Sequence, residues 1–254
     1  MLQIDLNGKI AVVTGASGQL GRVIARTLAA CGADVALHFH HNQSGAAQLQ
    51  KEIEGMGRRA TIYSADVADK NAVLAMRDHV QSTLGAASII VNNAVVQYQW
   101  TTVLEQSPDD YESQFRSCVL QNVLMAQAFA PAMIAANWGR IIAINTECAM
   151  QNTPTQSAYV AGKRGMDGVL RVLAREIGPH GITVNQVAPG WTISERDRES
   201  GGEIQPEYAK NVPLRRRGTD AEIANAVAFL ASDLAAFISG IYLPVSGGTV
   251  MPAI

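Results

Sequence analysis

The chain has little of what would tie it to a disulfide scaffold, a membrane or a nucleic acid. Only three cysteines occur in 254 residues, Cys31, Cys118 and Cys148. They are odd in number, far apart and set among apolar residues, so they read as buried thiols of a reducing compartment rather than a disulfide framework or metal knuckle. No segment reaches the ~18 unbroken apolar residues of a membrane span. The opening MLQIDLNGKIAVVTG lacks the basic start and apolar stretch of a signal peptide. Charge is sparse as well: 17% of residues are charged and the formal net charge is −2, which gives no electrostatic case for nucleic acid or an anionic membrane as partner. No Pro/Gly/Ser-rich linker, composition break or repeat divides the sequence. One soluble, cytoplasmic domain spanning 1–254 is the expectation.

What is present is a large apolar fraction, 48%, enough to bury a substantial core. Short β-branched runs alternate with longer helical patterns almost from end to end. The strand candidates are 10–14, 34–39, 60–64, 88–91, 140–144, 183–187 and 241–245. Helical patterns occupy 20–31, 45–56, 70–84, 109–136, 157–177 and 221–230. Such alternation predicts βαβ units: a Rossmann-type, doubly wound α/β fold with a seven-stranded parallel sheet and helices on both faces. Near-continuous apolar strands agree, because a sheet of this kind is buried on both sides. The least regular stretch, 191–212, is polar, carries Gly201–Gly202 and Pro206, and follows a strand end. Ligands of open α/β sheets bind outside the carboxyl ends of the strands, so this stretch reads as a mobile substrate lid.

Behind the first strand comes Thr14-Gly15-Ala16-Ser17-Gly18-Gln19-Leu20-Gly21, and a helix opens directly after it. Glycine here lets the chain turn tightly and approach a pyrophosphate, while the helix start offers free N–H groups to the phosphates. Gly15, Ser17, Gly18, Gln19, Leu20 and Gly21 are therefore candidate dinucleotide contacts. An acidic side chain at the end of the second strand would select NAD(H). Phe39, His40, His41 and Asn42 stand there instead, so NADP(H) is favoured, with His40 as a candidate phosphate contact. The histidine pair lacks the further ligands of a zinc site. Asp66 and Val67 follow the third strand, where a carboxylate can accept the adenine amino group. Asn92-Asn93-Ala94 follows the fourth, with Asn93 and Ala94 placed beside the ribose.

Ser-Ala-Tyr159-Val-Ala-Gly-Lys163 opens an amphipathic helix. The i, i+4 spacing sets phenol and ammonium on one face. A free tyrosine has a pKa near ~10, and a neighbouring cation lowers it. A phenol so tuned can protonate a carbonyl or deprotonate an alcohol. Thirteen residues earlier Thr146 ends the fifth strand, where its hydroxyl can polarise the same carbonyl.

Taken together, these motifs resemble the short-chain dehydrogenase/reductase family, along almost the whole chain. The likeness rests on the TG…G opening, NNA at 92–94, YxxxK at 159–163, Pro189-Gly190, and ISGIYLPVSGG at 238–248. Among named activities it is most similar to 3-oxoacyl-thioester reductase and glucose-type dehydrogenase members, with a local likeness to pteridine reductases around ALHFHHN. The resemblance implies an oxidoreductase moving a hydride between nicotinamide and a small carbonyl or alcohol substrate. By it, Tyr159 is the acid/base, and Lys163 lowers its pKa and holds the nicotinamide ribose. The backbone after Pro189 and Gly190, with Ile193 and the Ser194 hydroxyl, would orient the carboxamide. Family members are commonly tetramers, so a homotetramer, or a homodimer, is implied.

Four positions depart from the family pattern: Gln19 and Val95 replace glycines, Thr146 replaces serine, and Cys118 replaces a helical asparagine that supports a water in the proton relay. Asn122, one helical turn on, is a candidate substitute for that amide. The departures motivate an alternative, a non-catalytic nucleotide-binding or scaffolding protein. Retention of Tyr159, Lys163 and a hydroxyl at 146 argues against it. Substrate identity is expected to lie in the 191–212 segment, Val95–Thr101, Glu147–Gln151 and Trp191. Glu147 and Gln151 hint at a polar substrate, with plain surface exposure as the competing reading. The Arg215-Arg216-Arg217 run reads as a solvated face.

Overall fold

The computed structural model describes residues 3–252. Seven parallel strands form a single sheet in the order β3-β2-β1-β4-β5-β6-β7: β1 (Ile10–Val13), β2 (Asp34–Phe39), β3 (Ala60–Ser64), β4 (Ile89–Asn92), β5 (Gly139–Ile144), β6 (Ile182–Pro189) and β7 (Tyr242–Val245). The central register aligns Val12 with Ala36 on one side and Ile90 on the other. Successive side chains of a strand point to opposite faces, and each face here is covered. Ala11, Val13, Ile89, Val91, Ile142 and Ile144 enter one core; Ile10, Val12, Ile90, Ile141 and Ala143 enter the other. This two-sided burial is why the strands read as unbroken apolar runs.

Helices α1 (Gln19–Ala30), α2 (Gln43–Gly55) and α10 (Asp220–Ala231) cover one face; α3 (Lys70–Thr83), α5 (Gln121–Ala136) and α7 (Ser157–Ile177) cover the other. Their starts are set by local chemistry. The Asn42 and Asp69 carboxamide and carboxylate oxygens accept from Gly45 and Ala72 N–H, and Thr219 with Glu222 closes a reciprocal capping box.

The single helix expected over 109–136 is divided. Between α4 (Pro108–Gln114) and α5 lies a π-helical stretch, Phe115–Leu120. Its widened turn displaces carbonyls from their usual partners, and two consecutive amide side chains take them: Gln121 Nε2 donates to Ser117 O (2.5 Å) and Asn122 Nδ2 to Cys118 O (2.6 Å). The continuous run Pro108–Ala136 has the length and hydropathy of a membrane span, yet most of its apolar window is buried within this fold. It is a core helix.

The polar 191–212 stretch contains two short helices, α8 (Glu195–Ser200) and α9 (Pro206–Ala209). It is anchored from outside by Arg217, whose buried guanidinium donates to the carbonyls of Thr192 (2.9 Å) and Gly202 (2.8 Å) and reaches Asp197 at 3.3 Å. Of the three arginines expected to form a solvated face, Arg217 is thus an internal staple, because main-chain carbonyls satisfy its fork. Arg216 instead pairs with Glu222 at the surface.

Candidate active site

The strand order reverses between β1 and β4, and their carboxyl ends open the crevice where such sheets bind ligands. Its floor is knitted by one side chain. The Thr14 hydroxyl donates to Gln121 Oε1 (2.7 Å) and accepts from Asn93 N (2.9 Å) and Ala94 N (3.0 Å). Asn93 Nδ2 answers by donating to Thr14 O (3.0 Å). Gly15 has φ +64°, a left-handed conformation that favours glycine, and a Cβ on Gly21 would lie 2.2 Å from the Gly15 carbonyl oxygen. Gly18, the residue preceding α1, has extended backbone and no such requirement.

Sequence reasoning missed His38. It is 2% exposed, its Nδ1 accepts from Gly15 N–H (3.0 Å), and its Nε2 meets Ala65 O (2.9 Å). Since the amide is a donor and the carbonyl an acceptor, the ring is neutral with its hydrogen on Nε2. Burial holds its pKa down to about 4. His38 also gives its own carbonyl to Ala16 N–H (2.8 Å), so β2 fixes two successive amides of the glycine loop. Only the folded strand order brings these groups together, which is why no local signal announced them.

Beside this loop, His38, His40, Asp66, Val67, Ala94 and Arg116 line a cleft of about 250 Å3. His40 and His41 are exposed and stacked, with ring centroids 3.8 Å apart. Asp66 is exposed; one oxygen accepts from Ala68 N–H (2.8 Å). Arg116, a cation the sequence reading did not place here, donates to Ala68 O (3.2 Å). The Gln19 side chain reaches α8: its Oε1 accepts from Arg196 N–H (3.2 Å) in the first turn of that helix. Arg22 and Arg26 both reach Glu195 of the same helix. The 191–212 segment therefore docks directly on the glycine-loop helix.

Tyr159, Lys163 and Thr146 come together at the carboxyl end of β5. Tyr159 N–H, an unpaired amide of the first turn of α7, donates to the Tyr98 hydroxyl (2.8 Å). Lys163 Nζ donates to Ile144 O (2.5 Å) and sits 5.6 Å from the centre of the Tyr159 ring. Thr146 is held by its backbone: Tyr242 of β7 donates its hydroxyl to Thr146 O (2.5 Å). The electrostatics differ from the lowering expected of a simple Tyr–Lys pair. Burial first, then the Cys118 and Cys148 thiols, push the Tyr159 phenol above its ordinary value, opposed by the Thr146 hydroxyl. Burial pushes Lys163 below its own ordinary value. The phenol is thus protonated at neutral pH.

Asn122, the candidate substitute for the missing amide, is buried. Its Nδ2 is on the Cys118 carbonyl and its Oδ1 accepts from Asn92 (2.7 Å), so both ends are committed to the core. Ile193 N–H donates to Gly218 O (2.8 Å), and the Ser194 hydroxyl caps α8 through Asp197 (2.8 Å). Pro189 and Gly190 close β6, with Gly190 N–H on Val245 O (3.1 Å).

A second cavity, about 790 Å3, opens beside the phenol and is walled by Thr146, Tyr159, Trp100, Trp191 and Tyr208. Glu147 and Gln151 line it too; Glu147 is only 3% exposed, against the surface-exposure reading, whereas Gln151 is exposed, in accord with it.

A family profile described as Enoyl-(Acyl carrier protein) reductase, of the short-chain dehydrogenase/reductase type, matches residues 15–250. This chain is a short-chain dehydrogenase/reductase. The 3-oxoacyl-acyl-carrier-protein reductase of Pseudomonas aeruginosa is 35% identical over 98% of this chain and 100% of its own. That of Escherichia coli (strain K12) is 36% identical with the same coverage. Among solved structures, a blue fluorescent protein from a metagenomic library in complex with NADPH superposes with TM-score 0.89 at 34% identity, covering 97% of this chain and 100% of that one. A gluconate 5-dehydrogenase from Burkholderia cenocepacia in complex with NADP and tartrate gives 0.89 at 30%, covering 97% of each. As a member of the family, this short-chain dehydrogenase/reductase is an oxidoreductase of CH–OH or C=O groups using a nicotinamide cofactor.

Proposed function

We propose that this short-chain dehydrogenase/reductase is an NADP(H)-dependent carbonyl reductase, also competent for the reverse alcohol oxidation, with Tyr159 as its acid/base. The observation that carries the reading is that Tyr159 and Thr146 open on one cavity, with the Lys163 ammonium 5.6 Å from the centre of the Tyr159 ring. The loop fits a dinucleotide: a Cβ at Gly21 would fill the cradle, and the Gly15 turn is held open by His38. Gly15, Ser17, Gly18, Gln19, Leu20 and Gly21 would face the pyrophosphate; Asp66 and Val67 the adenine; Asn93, Ala94, Tyr159 and Lys163 the ribose; Pro189, Gly190, Ile193 and Ser194 the carboxamide. When bound, the nicotinamide supplies or accepts the hydride at the substrate carbon.

The chain's own part is proton management. The Tyr159 hydroxyl donates its proton to the carbonyl oxygen as that oxygen gains charge, and Thr146 hydrogen-bonds the same oxygen. Lys163, buried and tethered to Ile144 O, places a cation where the resulting phenolate is stabilised. NADP(H) is supported by the absence of a carboxylate at the end of β2 and by exposed His40 beside Arg116, and the NADPH- and NADP-bound neighbours agree. The 191–212 segment is read as the substrate lid, and a homotetramer or homodimer as the assembly. A titration with NADPH and with NADH, read by Trp-to-nicotinamide energy transfer, tests the reading. Saturable binding at least ~10-fold tighter for NADPH supports it; tighter NADH binding overturns the preference, and binding of neither overturns the cofactor site.

A further inference from the structure

The cavity beside Tyr159 holds two polar atoms that the protein leaves without partners. Glu147 Oε1 accepts from the Tyr208 hydroxyl (2.8 Å), but Glu147 Oε2 is buried with no hydrogen-bond partner. Gln156, 8% exposed, has an equally orphaned Oε1. Both residues line the same cavity. An unpaired buried acceptor is costly; the other three such atoms among the described residues, Asn92 Oδ1, Ser117 Oγ and Thr183 Oγ1, lie outside this cavity. Glu147 is also held rigidly: its N–H donates to Pro189 O (2.9 Å), and Tyr208 is itself fixed by accepting from Trp191 N–H (2.9 Å). Gly190 leaves room for the free carboxylate oxygen; a Cβ there would lie 3.0 Å from it. Across the opening, Trp100 and Trp191 present half-exposed aromatic surface.

On the reading of the site given above, we propose that Glu147 and Gln156 select a neutral polyhydroxylated substrate, each free oxygen accepting from one of its hydroxyl groups. The chemistry excludes the other classes in turn. Two acceptors demand donors, which an unadorned acyl chain does not have. A substrate carboxylate would face the Glu147 carboxyl with no compensating cation among the cavity residues. A cationic amine would satisfy Glu147, but leaves Gln156 needing a second donor at another position. A chain of hydroxyls meets both, and its C–H faces pack on the two indoles. Glu147 follows Thr146 directly, so a hydroxyl bound at Oε2 lies near the carbonyl or carbinol held by Thr146 and Tyr159.

Calorimetric titration of the protein with sorbitol and fructose, with cyclohexanone as a probe lacking hydroxyls, decides the matter with NADP(H) present. Wild-type protein is expected to bind the polyols. Glu147→Met and Gln156→Leu should each weaken that binding by about 10-fold or more, while cyclohexanone binds equally well or better. Glu147→Gln, which keeps one acceptor oxygen, should recover part of the loss. If Glu147→Met does not fold, as judged by melting and nicotinamide fluorescence, Gln156→Leu carries the test. Failure of wild-type protein to bind either polyol, or equal binding by the variants, overturns the proposal. Reduction of cyclohexanone without polyol binding would sink this inference alone. Undiminished turnover in Tyr159→Phe would instead sink the assignment of the site.

Discussion

The glycine loop and the cavity beside Tyr159 treat their polar atoms in opposite ways. Around the glycine loop, polar groups are paired with their neighbours: the Thr14 hydroxyl has three close partners, and both His38 nitrogens are engaged. At the substrate end, Glu147 and Gln156 keep a buried oxygen each without a donor. The first end is a rigid cradle whose shape does the recognising, through backbone and glycine. The second keeps hydrogen-bonding capacity in reserve. A common ligand needs the former and a particular one the latter, so polar satisfaction itself distinguishes scaffold from selectivity.

The largest effect should come from the group of the substrate end proposed to give its proton to the reacting oxygen. Tyr159→Phe is expected to lower kcat by ~10²–10⁴-fold with NADPH affinity unchanged, measured by turnover and by fluorescence titration side by side. Equal loss of both would mean that the two ends are not separable. At the nucleotide end, Gly21→Ala sets a methyl 2.2 Å from a backbone oxygen. A destabilisation of about 3 kcal/mol or more, with loss of cofactor binding, is expected in denaturant melts.

His38 offers a subtler break. Its folded pKa of about 4 lies below the ~6.5 of the unfolded chain. Between these values the unfolded state binds the extra proton, so stability should rise from pH 4 to about 6.5 and level off above, by on the order of 3 kcal/mol. His38→Leu should lose that slope and, at pH 7.5, about 1–3 kcal/mol through the abandoned Gly15 amide. A slope that survives the substitution would assign the pH dependence to other groups. Smallest is Arg217→Lys, which keeps the charge but loses the fork. Hydrogen exchange should speed by about 10-fold for amides within 191–203, the global melt moving little.

Much of this was legible in the sequence because it is written in short-range patterns. All seven strands lie within a residue or two of their sequence-predicted positions, since burial on both faces leaves continuous apolar runs. The Tyr159–Lys163 spacing is a helical one and survives intact. The exceptions have two causes. The π stretch at Phe115–Leu120 arises from side chains back-bonding displaced carbonyls, which hydrophobic periodicity does not register. Arg217 looks like its neighbours Arg215 and Arg216 until the chain supplies it with carbonyls from 192 and 202. Glu147 carries no local mark of burial; Pro189, Gly190 and Tyr208 enclose it only after β6 has paired with β5. Arg217 and Glu147 rest on partners tens of residues away, the π stretch on side-chain bonds one turn apart.

The hydrogen bond from Tyr242 to the Thr146 carbonyl also sets an order of assembly. β7 pairs only with β6, and its tyrosine buttresses the turn that carries Thr146. During synthesis the glycine loop, β4 and the Tyr159 helix all emerge well before residue 242. A nascent chain can therefore acquire a nucleotide cradle early, while its reaction centre stays unfinished until the final strand docks.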